Sequence, residues 1–378
     1  MANDKDFIVK NAVEVGGPTN VTLGTVTSNN IDLATGNYFK DTLAANTTYT
    51  ISNAGDVQSF QLEVTGGSTS YDLSSTSYDN KSYSVTTQET IPSGLAFKPD
   101  GTKMYVAGRS GDTIDQYSLS TAWDVSTASF DSVSFSVISQ DANPWGLFFK
   151  PDGTKMFMQG YGSDGIYQYS LSTAWDLSTA SYDSVSLSVN SQSTTPKGLA
   201  FKSDGTSLFI GDGAGNNVYQ YTLTTAWDLS TASYASISYA VSGLATLQHI
   251  TFNNDGTYLY ILDTGSDEIV KEYSLSTAWN VSTASATGNT LTVTAQDPTM
   301  HGLVFKPDGT RLYITGNTGD NIYQYSGGDL GITWPSSIEW AGGVAPAAPA
   351  ASETDVFTIT TDDGGTSYIG TKTADNLS

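Results

Sequence analysis

Five side chains with binding chemistry stand at two positions of a repeat whose neighbouring residues hardly change. Trp145, Lys197 and His301 precede the first strand of their repeats, and Arg109 and Tyr161 follow the second strand. The other copies carry Ser93, Gln248, Gly213, Thr264 and Asn317 at these two positions. Ligand sites combine aromatic surface with a few polar groups, and both connections of a four-stranded meander open on one face. The pattern therefore predicts a ligand-binding patch, with sequence drift in unconstrained loops as the alternative.

Trp145 is the strongest candidate within this patch. A loop tryptophan with no counterpart in the other repeats needs an explanation other than repeat packing. The predicted ligand is a glycan or protein of a cell surface, because aromatic rings stack on sugar rings while polar neighbours bind hydroxyl groups.

A second set of aromatic residues is constant rather than variable. Each member follows Thr-Ala and precedes Asp or Asn, and the set is Trp123, Trp175, Trp227 and Trp279. Equal spacing would suit a ring of sugar-stacking platforms. The constant local sequence instead favours packing between repeats, with the following Asp or Asn forming a turn. We predict a structural role for these four residues.

Catalytic and metal-binding patterns are weak. The chain has no Cys and only two His, His249 and His301, which excludes disulfides and thiolate chemistry and argues against a multi-His metal centre. No GxSxG motif or phosphate-binding loop is present, and no carboxylate pair stands out. The sequence predicts a protein that is not an enzyme, with polysaccharide cleavage as the alternative.

Acidic residues at repeated turn positions could ligate Ca²⁺, which prefers oxygen ligands. They are Asp112, Asp164, Asp212, Asp263, Asp267 and Asp320. None belongs to the spaced loop of an EF-hand, and Asp commonly forms turns. We therefore predict no cofactor and keep Ca²⁺ as the alternative.

The elements that position these residues come from an internal repeat. The segment GLAFKPDGTKMYVAG, residues 94–108, recurs four times, and the Asp of its Asp-Gly-Thr turn stands at 100, 152, 204, 255 and 308. Alternating apolar residues and a Pro-Asp-Gly turn predict four short strands in each unit of about 52 residues, which is the size of a β-propeller blade.

The ends of the repeat indicate how the ring closes. The last copy lacks a fourth strand, whereas an isolated copy of that strand, residues 72–85, precedes the first complete unit. We predict an all-β fold in which a five-bladed propeller spans residues 67–330 and the N-terminal strand closes its last blade. An open β-solenoid would require distinct caps.

Charge excludes two classes of partner. The chain has 15 basic and 38 acidic residues among 378, a net charge of −23. Nucleic-acid binding requires a basic face, and anionic membranes repel such a protein. No apolar run is long enough to span a membrane, and the N-terminus lacks the apolar segment of a signal peptide.

The segments outside the repeat, residues 1–66 and 331–378, carry a resemblance. FQLEVTGG at 60–67, ITWPSSIEWAGG at 332–343 and DVFTITTDDGGTSYIG at 355–370 are similar to a β-rich module of tail-fibre and other virion structural proteins of tailed phages. The opening Lys5–Lys10 segment is similar to the start of such proteins. The resemblance implies a discontinuous β-sandwich-like domain with the propeller inserted. The Ala/Pro-rich run Ala341–Ala351 is then a loop, or alternatively a flexible linker.

The resemblance also implies a function. We expect a phage virion structural protein, a tail-fibre or other receptor-binding component for host cell adhesion, made in the host cytoplasm and located in the virion. Its partners would be other virion proteins and a host surface glycan or protein, and it would be a homo-oligomer, a trimer in fibres. The alternatives are a capsid- or tail-decorating protein without receptor binding, and a bacterial surface lectin or adhesin.

Overall fold

The chain forms two units in the computed structural model. The model describes residues 21–43, 47–67, 70–328, 330–349 and 353–375. One unit comprises Met1–Thr69 with Gly328–Ser378, and the other comprises Ser70–Gly327. The Lys5–Lys10 segment and the last residues of the Ala341–Ala351 run lie outside the described residues.

The first unit begins with six strands. They are β1 (Leu23–Thr27), β2 (Asn30–Asp32), β3 (Tyr38–Thr42), β4 (Thr47–Thr48), β5 (Thr50–Ser52) and β6 (Gln58–Thr65). Strand β6 alternates buried and half-buried residues, and its inward residues Phe60, Leu62 and Val64 are fully or almost fully buried. Such alternation is the pattern of a strand with one face on a core.

The second unit consists of five antiparallel four-stranded blades. Blade 1 consists of β8 (Pro92–Phe97), β9 (Lys103–Gly108), β10 (Thr113–Leu119) and β11 (Ala128–Ser136), and blade 2 of β12 (Pro144–Phe149), β13 (Lys155–Gly160), β14 (Gly165–Leu171) and β15 (Ala180–Ser188). Blade 3 consists of β16 (Pro196–Phe201), β17 (Ser207–Asp212), β18 (Asn217–Leu223) and β19 (Ala232–Ala240), and blade 4 of β20 (Leu247–Phe252), β21 (Tyr258–Asp263), β22 (Ile269–Leu275) and β23 (Ala284–Thr292). Blade 5 consists of β24 (Met300–Phe305), β25 (Arg311–Gly316), β26 (Asn321–Ser326) and the N-terminal strand β7 (Ser77–Ser84).

Blade 5 is built from both ends of the repeat region. Strand β7 pairs antiparallel with β26, from Ser84 opposite Asn321 to Ser77 opposite Ser326. The edge that β26 would expose is thereby paired. The predicted all-β, five-bladed propeller fold is confirmed.

The last four strands belong to the first unit. They are β27 (Ile332–Thr333), β28 (Ile338–Trp340), β29 (Thr354–Thr361) and β30 (Tyr368–Ala374). The unit has a mixed eight-stranded sheet of order β28-β30-β29-β6-β3-β1-β2-β5, and β27 pairs with β4. Strand β29 lies antiparallel to β6, so the two segments that flank the propeller in sequence share one sheet. In the described ranges, no helix has the length and apolar composition needed to cross a membrane.

The repeat tryptophans lie at the junctions between blades. Trp175 of blade 2 packs on Phe149 of its own blade, with ring centroids 5.3 Å apart, and its carbonyl accepts a 2.6 Å hydrogen bond from the Tyr105 hydroxyl of blade 1. A Cβ on Gly153, in the Asp-Gly-Thr turn, would lie 2.3 Å from the Trp175 ring, so the turn requires glycine. At the fifth junction Tyr71 takes the place of the tryptophan, and its ring packs against Gly309.

Short 3-10 helices join neighbouring blades through buried glutamines. They are Val125–Thr127, Leu177–Thr179, Leu229–Thr231 and Val281–Thr283. The backbone N–H of Leu229 in blade 3 donates to Gln168 Oε1 of blade 2 at 3.0 Å, and Leu177 donates to Gln116 of blade 1 at 2.9 Å. These bonds satisfy amide groups that the start of a helix leaves without partners.

Candidate functional site

The five variable residues meet at one end of the propeller axis. The Trp145 ring lies 5.3 Å from the Tyr161 ring and 4.9 Å from the His301 ring, centroid to centroid. The Arg109 guanidinium lies 4.6 Å and the Lys197 ammonium 4.7 Å from the same indole centroid. We name these five residues the cationic cluster. The structure thus brings together all of the sequence-predicted ligand residues, which come from blades 1, 2, 3 and 5.

Trp145 lies inside the ring, not on an exposed loop as the sequence predicted. It is only 3% exposed and belongs to strand β12, which begins at Pro144. Its indole N–H donates to the Gln248 carbonyl of blade 4 at 3.1 Å, so the side chain crosses the axis from blade 2. The prediction was wrong because a bulge between Pro144 and Gly146 lets the strand continue where the alternating pattern stops.

The two cations of the cluster lack a carboxylate partner. Ten lysines of the described chain form ion pairs within 4.0 Å of a carboxylate, whereas Arg109 and Lys197 form none. Arg109 Nη2 donates only to Asn143 Oδ1, at 3.3 Å. Burial and the neighbouring Arg109 charge lower the pKa of Lys197 to about 8. Two adjacent half-buried cations that repel each other, in a protein of net charge −23, favour binding of an anion.

His301 is held as a neutral imidazole. Its Nδ1 lies 3.2 Å from the Pro92 carbonyl, which can only accept, so the proton is on Nδ1 and Nε2 is left as an acceptor. Burial lowers the pKa of His301 to about 4, and the positive charges of Arg109 and Lys197 act in the same direction. At neutral pH the residue can accept a proton from a bound water or hydroxyl group.

A buried carboxylate braces the loops of each blade on this face. Asp141 accepts hydrogen bonds from the backbone N–H groups of Asn143 and Ser163, both at 2.6 Å. The equivalent carboxylates of blades 1 and 5 are Glu89 and Asp297. In these three blades the second strand ends in glycine, because a Cβ on Gly160 would lie 2.3 Å from Asp141 Oδ2.

Blades 3 and 4 place the carboxylate on the second strand instead. Asp212 accepts from Ser193 Oγ at 2.7 Å and from Thr195 Oγ1 at 2.9 Å, and Asp263 accepts from the backbone of Ala245 and Thr246. These predicted Ca²⁺ candidates therefore have protein partners. In the part of the chain that the structure describes, no three His or acidic side chains converge as a metal site.

The sequence analysis did not choose four polar side chains as ligand residues, namely the buried Gln159, Gln248 and His249 and the half-buried Asn317. Each carries at least one buried polar atom without a hydrogen-bond partner. The available signal was departure from the repeat: Gln159 replaces the Ala107 of blade 1, and His249 replaces a glycine found in the other four blades. Side chains that interrupt a repeat at buried positions are candidates for function.

The chain belongs to a family of lactonases. The family model described as "Lactonase, 7-bladed beta-propeller" matches residues 25–328, which is most of the chain. This chain has five blades where the family description names seven. None of the curated proteins is significantly similar to it in sequence.

Several solved structures are similar to this chain at low identity. A proposed 6-phosphogluconolactonase from Bacteroides uniformis is 16% identical with a TM-score of 0.40, and 61% of this chain aligns with 65% of that one. One from Bacteroides fragilis is 16% identical with a TM-score of 0.39, and 61% of this chain aligns with 65% of that one. A protein from Lactobacillus plantarum is 15% identical with a TM-score of 0.40, and 62% of this chain aligns with 67% of that one. The chain thus spans less than two thirds of the length of the first two.

Family membership corrects several expectations. The resemblance to a tailed-phage virion module was wrong, and with it the phage structural and receptor-binding function, the virion location and the virion partners. The prediction that the chain is not an enzyme is contradicted as well, because the family is one of lactonases. The physical reason is that the resemblance depended on aromatic and turn residues of the flanking sheet, which many β-proteins share, whereas the family match extends over the propeller.

Proposed function

We propose that the protein hydrolyses a lactone that carries a carboxylate or phosphate group, and that this anionic group binds between Arg109 and Lys197. The observation that supports this proposal is the pair of adjacent cations without carboxylate partners at the end of the axis. The lactonase family supplies the class of reaction, and the two charges supply the class of substrate.

The aromatic residues of the cluster position the two cations. Trp145 is buried, and Arg109 and Lys197 each lie less than 5 Å from the centre of its ring. We therefore infer that Trp145 positions the two cations and does not contact the substrate. Tyr161 is half-buried and lies beside both cations, where a sugar ring could stack on it.

His301 would act as general base. Its Nε2 takes a proton from water while the water oxygen attacks the lactone carbonyl carbon, and the carbonyl electron pair moves onto oxygen. When the intermediate collapses, the ring C–O bond breaks and the leaving alkoxide takes the proton from His301, which yields a hydroxy acid.

Substrate charge would also strengthen this base. The pKa of His301 is lowered in part by the positive charges of Arg109 and Lys197. An anion bound between the two cations offsets those charges, so the pKa of His301 rises toward its ordinary value. A general base is most effective when its pKa is near the working pH.

The test is hydrolysis of gluconolactone and of its phosphorylated form, followed at constant pH and corrected for spontaneous hydrolysis. We expect a preference for the phosphorylated substrate, a KM raised about tenfold or more in Lys197→Gln, and a kcat lowered about 10²–10⁴-fold in His301→Gln.

The matched control is Lys202→Gln. Lys202 pairs with Asp204 in the Asp-Gly-Thr turn of the same blade, at the opposite end of the strand from Lys197. Its removal should leave both kinetic constants unchanged. Absence of any acceleration with either lactone, or equal effects of Lys197→Gln and Lys202→Gln, would contradict the proposal.

A further inference from the structure

A cavity lies on the propeller axis, at the end where the Asp-Gly-Thr turns meet. Its volume is about 340 Å³. Each blade contributes a phenylalanine of its innermost strand to the wall, namely Phe97, Phe149, Phe201, Phe252 and Phe305. Exposed turn residues such as Pro99, Pro151 and Pro307 form the mouth. No member of the cationic cluster lines this cavity, so it is distinct from the candidate site.

The wall of the cavity carries no charged side chain. Its described lining residues include no Asp, Glu, Lys or Arg, although the chain has 53 such residues, 15 basic and 38 acidic. Transfer of an ionised group into such surroundings without a partner is costly. The cavity therefore favours an uncharged, largely apolar molecule with aromatic surface.

One of the polar residues that line this cavity is buried and has unpartnered ring nitrogens. His249 lines it, is 3% exposed, and has no hydrogen-bond partner at Nδ1 or Nε2. A buried polar group without partners is destabilising, so its presence calls for an explanation.

The repeat gives independent evidence that His249 is special. The other four blades have glycine at this position, where neighbouring inner strands come close: a Cβ on Gly198 would lie 2.6 Å from the Ile250 nitrogen, and one on Gly302 would lie 2.2 Å from the Ser93 oxygen. Blade 4 alone carries a side chain there. Burial lowers the pKa of His249 to about 4, which makes it a neutral donor and acceptor at neutral pH.

We propose that this cavity binds an uncharged aromatic molecule bearing one hydroxyl group, with the hydroxyl bonded to the His249 imidazole and the ring among the phenylalanines. A cavity of this volume holds roughly ten to twelve non-hydrogen atoms at the ~30 Å³ that a water occupies in the liquid. Bicyclic phenols have this size. The site is independent of the lactone hydrolysis proposed above.

Calorimetric titration of the full chain with naphthol, naphthalene and naphthalene sulfonate tests the proposal. We expect saturable 1:1 binding of naphthol, about tenfold weaker binding of naphthalene and no binding of the sulfonate. In His249→Gly, the residue of the other four blades, the advantage of naphthol over naphthalene should disappear. His301→Gln, at the other end of the axis, should bind naphthol as the wild type does.

Three results would overturn the proposal. These are failure of the folded wild type to bind naphthol, retention of the full naphthol advantage in His249→Gly, and equal binding of the sulfonate. Circular dichroism of each variant separates lost binding from lost fold. Naphthol titration measures binding alone and the hydrolysis assay measures turnover of a lactone, so the two proposals can fail separately.

Discussion

At the residue scale, Trp145 shows how one side chain can organise a charged surface. Its indole holds a guanidinium from blade 1 and an ammonium from blade 3 at nearly equal distances, and it is itself held by the Gln248 carbonyl. Cation–π attraction of roughly 0.5–2 kcal/mol for each cation offsets part of their mutual repulsion. An anion that binds between the two cations relieves the repulsion that remains.

A residue-scale prediction concerns the two arrangements of the buried carboxylate. Gly160→Asp should destabilise blade 2, because the new Cβ would contact Asp141 at 2.3 Å and two carboxylates would share one pocket. Asp141→Ser should also destabilise it, through loss of bonds to Asn143 and Ser163.

Combining the two substitutions reproduces the arrangement of blade 3, in which Asp212 faces Ser193. The double variant should be more stable than the sum of the single effects predicts, by about 1–3 kcal/mol in a double-mutant cycle measured by urea unfolding. Strict additivity would show that the two positions are not alternatives.

At the element scale, the blades are joined by backbone amides that reach into the preceding blade. Gln168 accepts from the Leu229 N–H and donates to Asp183 at 2.8 Å, so one side chain connects a 3-10 helix of blade 3 with the fourth strand of blade 2. Blade 4 has Glu272 at the equivalent position, and there the side chain bonds Asn289 of its own blade.

Gln168→Leu should therefore cost about 1–3 kcal/mol of unfolding free energy, because it leaves the buried Leu229 N–H without an acceptor. Gln88→Leu, on a partly exposed loop of the same propeller, is the matched control and should change stability by less than about 0.5 kcal/mol. Equal effects of the two substitutions would refute a special role for the inter-blade bond.

The repeat explains which elements could be predicted and which could not. Alternation and the Pro-Asp-Gly turns of residues 94–108 define the first two strands of every blade, and the displaced strand at 72–85 indicates closure. The sequence does not show that the strand continues back through Trp145, because a bulge interrupts the alternating pattern. Nor does it show that Asp212 and Asp141 serve one purpose, because their equivalence depends on contact across two strands.

At the scale of the whole molecule, the two histidines make stability depend on pH. Each has a folded pKa of about 4, below the ordinary 6.5, so the unfolded chain binds more protons between these values. Stability contributed by the neutral rings is present above pH 6.5 and is lost as the pH falls toward 4. Glu268 acts in the opposite direction, since burial raises its pKa to about 7.

Comparison of wild type with His249→Gly isolates the histidine contribution. The melting temperature of the wild type should fall relative to that of the variant as the pH falls from 6.5 to 4. Above pH 7 the difference between the two melting temperatures should be constant. Differential scanning calorimetry across that range measures it. A difference that is the same at pH 4.5 and pH 7.5 would mean that His249 titrates normally in the folded protein.

Closure of blade 5 also has a consequence for synthesis of the chain on the ribosome. Strand β7 emerges early, but its partner β26 follows more than roughly two hundred residues later, which corresponds to about 10–50 s at 5–20 residues per second. Throughout that interval β7 has no β26 with which to pair. Asp79 and Lys81, near the middle of β7, place charges on an edge that would otherwise invite pairing between neighbouring nascent chains.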